Sequence, residues 1–377
     1  MKLSVRFCLG IAFLSIACLR AKEPFKTAVL EKPAKPRMEV CFVLDTTGSM
    51  GGLIEGAKQK IWSIANSMVS SKPAPEIRIG LVAYRDRGDE YVTKNFDLTN
   101  DIDAIYGRLQ SFHADGGGDT PESVNEALDE AVQKMSWSAD KQVLKIIFLV
   151  GDAPPHMDYA NGPKYPEICQ RAVKKDLIIN TIQCGALTET TPIWKEIAQL
   201  AEGGYAAIAQ SGNMTAIPTP MDGELAELNR KLGRTLVAYG GERERSFVAA
   251  KQVASENAPA SVAADRLAFN LRYGLAVQGD GELLDGLNQG KLKLESLNKA
   301  DLPRDLQKLD EKELKAEIEK RQKDRSELQA RIQTLSKERE TYLVNERKRL
   351  AEQGKGDSFD EKVASTIREE AARKGIQ

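Results

Sequence analysis

Oxygen-bearing side chains follow the first long apolar run of the sequence. The segment VLDTTGSM (43–50) ends that run on Asp45, and Thr47 and Ser49 follow at intervals of two residues. Carboxylate and hydroxyl oxygens suit a hard divalent cation, and Mg²⁺ in particular needs few protein ligands because it keeps several waters. The hydroxyls are neutral, so a metal held there keeps uncompensated charge and an open position for an outside ligand.

Two later segments carry similar side chains. GGGDTPES (116–123) contains Asp119 and Thr120, and GDAPPH (151–156) contains Asp152 after another apolar run. Each segment taken alone is also typical of a tight turn or a helix cap. The combination instead predicts one metal site, provided that the fold brings the three segments together.

The only two histidines of the chain lie in these segments or beside them. His113 and His156 invite a zinc hypothesis, but neither has a Cys or a second His at the spacing that zinc sites use. We expect both, together with Asp119, to support the site from a second layer or to pack its loops.

The elements that must position these side chains alternate between strand and helix patterns. Short apolar runs predict parallel strands at 38–45, 77–84, 143–152, 177–185 and 205–209. Helical patterns lie between them near 52–69, 101–111, 121–135, 165–175 and 190–202. The alternation predicts a doubly wound, mostly parallel α/β domain, with segment 87–99 returning as an antiparallel edge strand. Ligands of such sheets bind beyond the carboxyl ends of the strands, where Asp45 and Asp152 lie.

The three segments resemble the loops of a von Willebrand factor type A (vWA) domain that carries a metal-ion-dependent adhesion site. The resemblance covers roughly residues 37–215, and YRDRGDE, GGGDTPES and GDAPPH are similar to the branch found in α-kinase-linked and hemicentin vWA domains. It implies a Rossmann-like fold, Mg²⁺ (or Mn²⁺ or Ca²⁺) as cofactor, and metal-bridged binding of another protein. By position, it implies the metal ligands Asp45, Thr47, Ser49, Thr120 and Asp152.

After about residue 220 the composition changes towards Glu, Lys, Ala and Leu, and helices are predicted at 223–238, 261–274 and about 305–353. In the last of these, Arg321, Arg325 and Arg339 interrupt the apolar seam, which predicts a marginal coiled coil or a helix docked over part of its length. Its balanced charges are typical of a solvated face. A short terminal helix follows.

The N-terminus is typical of a secretory signal peptide, because two basic residues precede a short apolar stretch and Ala21. Cys18 after SIA offers an alternative lipidation site, but Ser15 stands where an aliphatic residue is usual, so we favour a free exported protein, periplasmic or extracellular. The predicted organisation is 1–21 signal peptide, 22–36 linker, 37–218 vWA domain, 219–300 helical region, and 301–377 long charged helix with a short terminal helix.

Charge and cysteine content exclude several classes of partner. Lys plus Arg (54) nearly equals Asp plus Glu (55), so no net field favours nucleic acid or an anionic membrane. Beyond the signal region, Cys41, Cys169 and Cys184 form no metal-binding or disulfide pattern. No segment beyond the N-terminal stretch approaches the length of a membrane span.

These observations predict a protein without enzymatic activity. We expect a secreted adhesion or receptor-like module whose bound cation coordinates an acidic residue of a protein ligand. The alternative is a structural scaffold that oligomerises or docks a partner through its helical C-terminal region, with the α/β domain only positioning it.

Overall fold

A six-stranded sheet lies at the centre of the protein, in the order β3, β2, β1, β4, β5, β6. The computed structural model describes residues 35–70, 73–214, 216–353 and 359–376. The predicted signal peptide and nearly all of the predicted linker lie outside these ranges. The strands are β1 (Arg37–Asp45), β2 (Glu76–Tyr84), β3 (Thr93–Thr99), β4 (Leu144–Gly151), β5 (Ile178–Cys184) and β6 (Tyr205–Ile208).

The pairing of the strands confirms the predicted doubly wound α/β fold. Strands β1, β2, β4, β5 and β6 are parallel, and β3 pairs antiparallel with β2 at the edge. The central strands β1 and β4 are buried almost throughout, which explains why their sequences are continuously apolar rather than alternating. The edge strand β3 is short and polar, and most of its residues are only half-buried.

Helices cover both faces of the sheet. On one face, α1 and α2 contribute to a core with Phe42 and Phe148, whose rings stack at 5.5 Å between centroids. On the other face, α3, α4 and α5 pack around Trp194. These helices are α1 (Gly51–Met68), α2 (Ile102–Gln110), α3 (Val124–Gln133), α4 (Tyr165–Lys174) and α5 (Thr190–Leu200).

Six further helices follow the sheet, and two of them extend its core. Val262 and Phe269 of α8 and Phe359 of α11 join the core of the first face. The predicted boundaries at 218 and 300 stay predictions, although side chains from both sides of residue 218 share this core. The helices are α6 (Asp222–Gly233), α7 (Glu242–Glu256), α8 (Ala260–Arg272), α9 (Leu283–Asn288), α10 (Glu311–Glu352) and α11 (Phe359–Arg373). The sequence patterns did not predict α7.

The long helix α10 begins with a capping box between Asp310 and Glu313 and runs for 42 residues. Ile332 and Leu335 pack against α6 and α8, so the helix docks on its own chain. Arg325 and Arg339, which interrupt the predicted apolar seam, are buried in that seam. Both guanidinium groups are buried and paired with carboxylates from other elements, which removes the cost of placing them in the seam.

Candidate metal centre

The carboxyl ends of β1 and β4 lie side by side, with Leu44 opposite Val150. Asp45 and Asp152 therefore follow neighbouring strands, as the sheet pattern predicted. A cavity of about 390 Å³ opens above them, and we call it the strand-end crevice. Its lining residues are Thr47, Gly48, Ser49, Gly116, Gly117, Asp119, Thr120, Glu122, Asp152, Ala153, Leu187 and Gln210.

The first loop arranges three of the predicted ligands in a chain of contacts. The Thr47 hydroxyl donates to Asp45 Oδ1 at 2.6 Å, and the Thr47 backbone amide donates to the same oxygen at 2.9 Å. Thr47 Oγ1 lies 3.4 Å from Ser49 Oγ. Asp45 and Thr47 are buried, whereas Ser49 is exposed at the mouth of the crevice. The loop thus presents one carboxylate and two hydroxyls to the same space.

The Asp45 carboxyl is buried, and within the described residues it forms no ion pair with a Lys or Arg side chain. Burial raises the pKa of its carboxyl to about 7; the two Thr47 hydrogen bonds oppose this rise, and the nearby Asp152 carboxylate adds to it. Among the described residues, neither Asp45 Oδ2 nor the adjacent Tyr84 hydroxyl has a hydrogen-bond partner. A buried polar atom without a partner is costly, so these atoms mark a place where a cation fits.

The glycine loop before α3 lies against the first loop through its backbone. The Gly48 amide donates to the Gly116 carbonyl at 3.2 Å, and the Gly117 amide donates to Asp89 Oδ2 at 3.1 Å. Gly116 has φ of 76°, and a Cβ there would collide with the Asp89 carboxylate. Glycine is needed at Gly116 for both reasons. This close approach brings Thr120, which is exposed, to the crevice.

Asp152 is held from the far side of the crevice. Gln210 donates from Nε2 to Asp152 Oδ2 at 2.7 Å, and the Thr190 hydroxyl donates to the Asp152 carbonyl at 2.8 Å. Gln210 also donates to the Ser49 carbonyl at 3.3 Å, so it bridges the first and third loops. All five predicted ligands therefore meet at one site: four line the crevice, and Asp45 lies at its base.

Glu122 is a further acidic group that the sequence did not single out. Its side chain lines the crevice and is 4% exposed, and Oε2 has no hydrogen-bond partner among the described residues. Burial raises its pKa to about 9, with repulsion from Asp45, Asp86, Asp152 and Asp89 adding to the shift. Glu122 lies just before the N-cap of α3, and acidic residues are so common near helix N-termini that its sequence position gives no signal.

The residues predicted to support the site from a second layer divide into two groups. Asp119 lines the crevice and His156 is buried beside it, with 3.8 Å between Asp119 Oδ2 and His156 Nε2. His113 is exposed and does not line the crevice; only its carbonyl takes part, accepting from Arg85 at 2.7 Å. Asp86, which the sequence did not single out as a site residue, lies with Oδ2 3.3 Å from His156 Nε2.

The acidic groups of the crevice have no Lys or Arg side chain paired with them in the described part of the chain. Within the described ranges, no Lys or Arg forms an ion pair with Asp45, Glu122 or Asp152. Arg85 directly follows β2 and its guanidinium group is buried. It donates to the carbonyls of Thr46 and His113. The donors are oxygens, which fit a divalent metal ion of the hard class.

Solved structures are similar to about half of the chain at low sequence identity. The chain is similar to the conserved hypothetical protein BatB from Bacteroides thetaiotaomicron, with 17% identity, a TM-score of 0.35, and coverage of 46% of this chain and 90% of that one. It is also similar to proximal thread matrix protein 1 from the mussel byssus, described with a zinc-occupied MIDAS motif, at 15% identity and a TM-score of 0.37. That match covers 47% of this chain and 42% of the mussel protein.

Curated relatives match a shorter segment more closely. The von Willebrand factor A domain-containing protein 7 of Mus musculus is 37% identical over 120 residues, and that of Homo sapiens is 35% identical over 120 residues. Each match covers 32% of this chain and 12% of the relative, so it spans a small part of each relative's length. A family model described as the von Willebrand factor A domain matches residues 39–219. Residues 39–219 of this chain therefore form a von Willebrand factor A domain.

Proposed function

We propose that this protein is an exported, metal-dependent protein-binding module whose strand-end crevice holds a divalent cation. One observation carries the proposal. The crevice gathers Asp45, Asp152 and Glu122 with the hydroxyls of Thr47 and Ser49, and no Lys or Arg of the described chain neutralises these carboxylates. A bound cation supplies that missing charge.

The donor set fits Mg²⁺ best, with Mn²⁺ and Ca²⁺ as alternatives. Asp45, Thr47, Ser49, Thr120 and Asp152 would hold the ion, and Glu122 adds a carboxylate on the side of the second loop. A cation held by few protein ligands keeps solvent positions open. When bound, the ion accepts a carboxylate from outside the protein at such a position.

A partner that presents an Asp or Glu side chain fits this arrangement. Without the cation, the Asp152 carboxylate would repel an incoming acidic group. With the cation, the same crevice attracts it. Binding of the partner should therefore depend on the metal rather than merely be strengthened by it. No catalytic residue is assigned, and the absence of turnover stays a prediction for assays with phosphoesters and peptides.

Export rests on the N-terminal sequence, which lies outside the described residues. Across the part of the chain that is described, no helix combines the length and the apolarity that crossing a membrane requires.

The scaffold alternative remains distinct from this proposal. It requires the helical region to act without the metal, and α10 offers an outer surface with Tyr342 and Val344 exposed. Substitution at the crevice separates the two: it abolishes partner binding under the first proposal and spares it under the second.

The decisive experiment is the thermal melting of the mature protein with EDTA, Mg²⁺, Mn²⁺ and Ca²⁺, beside Asp152→Ala. An ion at a hundred times its Kd stabilises a folded protein by about 2.7 kcal/mol. We expect a metal-dependent rise in Tm that Asp152→Ala lacks, followed by partner capture that EDTA abolishes.

Asp280→Ala is the matched control, because Asp280 is an exposed aspartate of the helical region that pairs only with Lys291. This control should retain the full metal response. Equal metal responses in the parent and in Asp152→Ala would reject the crevice as the metal site.

A further inference from the structure

A second cluster of metal-type donors lies beside the strand-end crevice, and we call it the His156 cluster. It consists of Asp86, after β2, Asp119, before α3, and His156, after β4. One ligand atom from each lies within 4.8 Å of the other two. Asp86 and His156 are buried, and Asp119 is exposed. Three separate loops thus place two carboxylates around one imidazole.

The imidazole is oriented with one nitrogen bound and the other open. His156 Nδ1 lies 2.7 Å from Asp158 Oδ1, and the ring stacks on Tyr159 at 4.0 Å between centroids. Nε2 is buried and makes no aligned hydrogen bond within the described structure, although Asp86 Oδ2 is only 3.3 Å away. A carboxylate that fixes Nδ1 and leaves Nε2 free is the arrangement found behind metal-binding histidines.

The spacing of the donor atoms favours an ion between them. Zinc binds imidazole nitrogen and carboxylate oxygen at about 2.0–2.2 Å, so two ligands at the tetrahedral angle are about 3.4 Å apart. The distances from His156 Nε2 are 3.3 Å to Asp86 Oδ2 and 3.8 Å to Asp119 Oδ2. A hydrogen bond from a protonated imidazole would instead need an N–H aligned with a carboxylate, and among the described residues Nε2 has no hydrogen-bond partner.

The buried carboxylate of the cluster is also held in place. Ser123 Oγ donates to Asp86 Oδ1 at 2.9 Å, and the Tyr159 hydroxyl lies 3.1 Å from both oxygens of Asp86. Arg87 lies over the Tyr159 ring at 3.8 Å but forms its ion pair with Glu126. Arg87 therefore does not neutralise Asp86 by direct pairing.

From these contacts we propose a second divalent-metal site at Asp86, Asp119 and His156, selective for a nitrogen-binding ion of the zinc class. It differs from the strand-end crevice in chemistry, because imidazole favours Zn²⁺ or Co²⁺ over Mg²⁺. Asp119 also lines the crevice, so the two sites are neighbours. An ion in the second site ties the loop after β2 to two of the loops that line the first site, the glycine loop before α3 and the loop after β4.

The test is titration of the metal-free full-length mature protein with Zn²⁺ by calorimetry and with Co²⁺ by visible absorption. The X-ray absorption spectrum of the zinc-loaded protein should show one imidazole ligand. His156→Gln should lose that ligand and weaken Zn²⁺ binding at least about a hundredfold. His113→Gln removes the only other imidazole of the chain, and it should change neither the imidazole signal of the spectrum nor the Zn²⁺ affinity.

Two exposed positions keep the test informative if His156→Gln does not fold. The side chains of Asp119 and Asp158 are 64% and 72% exposed, so Asp119→Asn and Asp158→Asn should leave folding intact. Asp119→Asn removes a ligand, and Asp158→Asn removes the group that orients His156, which typically costs about 10–100-fold in metal affinity. Unchanged Zn²⁺ affinity in both variants would overturn the proposal.

Asp45→Asn separates this site from the crevice. It should abolish the Mg²⁺ response while retaining the Co²⁺ spectrum of the parent. Loss of the Co²⁺ spectrum in Asp45→Asn, with retention in His156→Gln, would place the only metal at the crevice and reject the second site.

Discussion

The strand-end crevice and a buried ionic cluster in the helical region differ in whether the chain itself supplies a cation to their buried carboxylates. Both bury acidic side chains. In the helical region, Arg325 donates to Glu282 at 2.8 and 2.9 Å and to Asp285 at 2.8 Å, and we call these three residues the Arg325 cluster. In the crevice, the described chain supplies no such cation to Asp45 or Glu122.

Hydrogen bonding makes the contrast sharper. In the Arg325 cluster, Glu282 also accepts from the amides of Val237 and Asp285, and Asp285 Oδ2 accepts from the amide of Ala276. In the crevice and beside it, the described structure leaves polar atoms of four buried side chains without partners, and these are Asp45 Oδ2, Tyr84 Oη, Glu122 Oε2 and His156 Nε2.

This difference in pairing distinguishes buried charges that stabilise the fold from buried charges that are available to bind a ligand. A buried ion pair that the chain completes by itself contributes to one fixed packing arrangement. Buried acids that the chain leaves unpaired destabilise the protein until something else binds, which is the behaviour expected of a metal site. The predictions below test this contrast by changing each region in turn.

The largest effect is expected at the Arg325 cluster. Arg325→Met leaves Glu282 and Asp285 buried without a cation, which should lower the free energy of unfolding by about 3–5 kcal/mol. Urea denaturation measures the loss, and it should be the same in EDTA and in Mg²⁺. Arg349→Met, at an exposed position on the same helix where the arginine pairs with Glu346, should cost far less stability than Arg325→Met. Equal losses in the two variants would show that the buried Arg325 contributes no more to the free energy of unfolding than an exposed arginine does.

A smaller effect is expected from crowding the base of the crevice. A Cβ on Gly151 would lie 2.9 Å from Asp45 Oδ2 and would collide with the Tyr84 hydroxyl. Gly151→Ala should therefore lower the free energy of unfolding by about 1–3 kcal/mol, and we expect it to remove the metal-dependent rise in Tm.

The matched control is a glycine with free space around it. Gly107 lies in α2, and a Cβ there meets no atom within 4 Å. Gly107→Ala should stabilise the protein by about 0.5–1 kcal/mol and leave the metal response intact. A full metal response in Gly151→Ala would show that Asp45 does not contact the ion.

The sheet was predictable because its sequence signal is local. The central strands β1 and β4 are continuous apolar runs that are covered on both faces, so their identity as strands follows from a few neighbouring residues. The loops with Asp45, Thr120 and Asp152 could likewise be located, because each directly follows a strand or precedes a helix. The sheet order then brings them together at one edge.

The remaining features depend on residues distant in sequence. Arg325 pairs with Glu282 across 43 positions, and nothing in the helix pattern indicates that partner. The terminal helix α11 packs its Phe359 against Phe42 of β1, which no local pattern reveals. The His156 cluster combines three loops whose spacing matches no known zinc motif, so only the fold shows that they meet.

The last effect concerns pH and is spread over several pH units, and the two regions should respond differently to metal. In the metal-free protein, the pKa of Asp45 is raised to about 7 and that of Asp285 to about 6, both above the ordinary value of 3.8. A raised folded-state pKa means that the folded protein binds more protons than the unfolded chain. Stability should therefore fall as pH rises from about 4 towards 7, by at most about 1.4 kcal/mol per pH unit for each group.

Urea denaturation at several pH values between 5 and 8, with EDTA or with saturating Mg²⁺, measures this dependence. Metal requires the ionised carboxylate, so Mg²⁺ should remove the Asp45 contribution and leave that of Asp285, which already faces Arg325. Asp45→Asn in EDTA should lose the Asp45 part of the slope and keep the part that comes from Glu122, whose pKa is raised to about 9. A parent slope that Mg²⁺ does not change would mean that the crevice acids are compensated from within the chain, and the contrast between the two regions would fail.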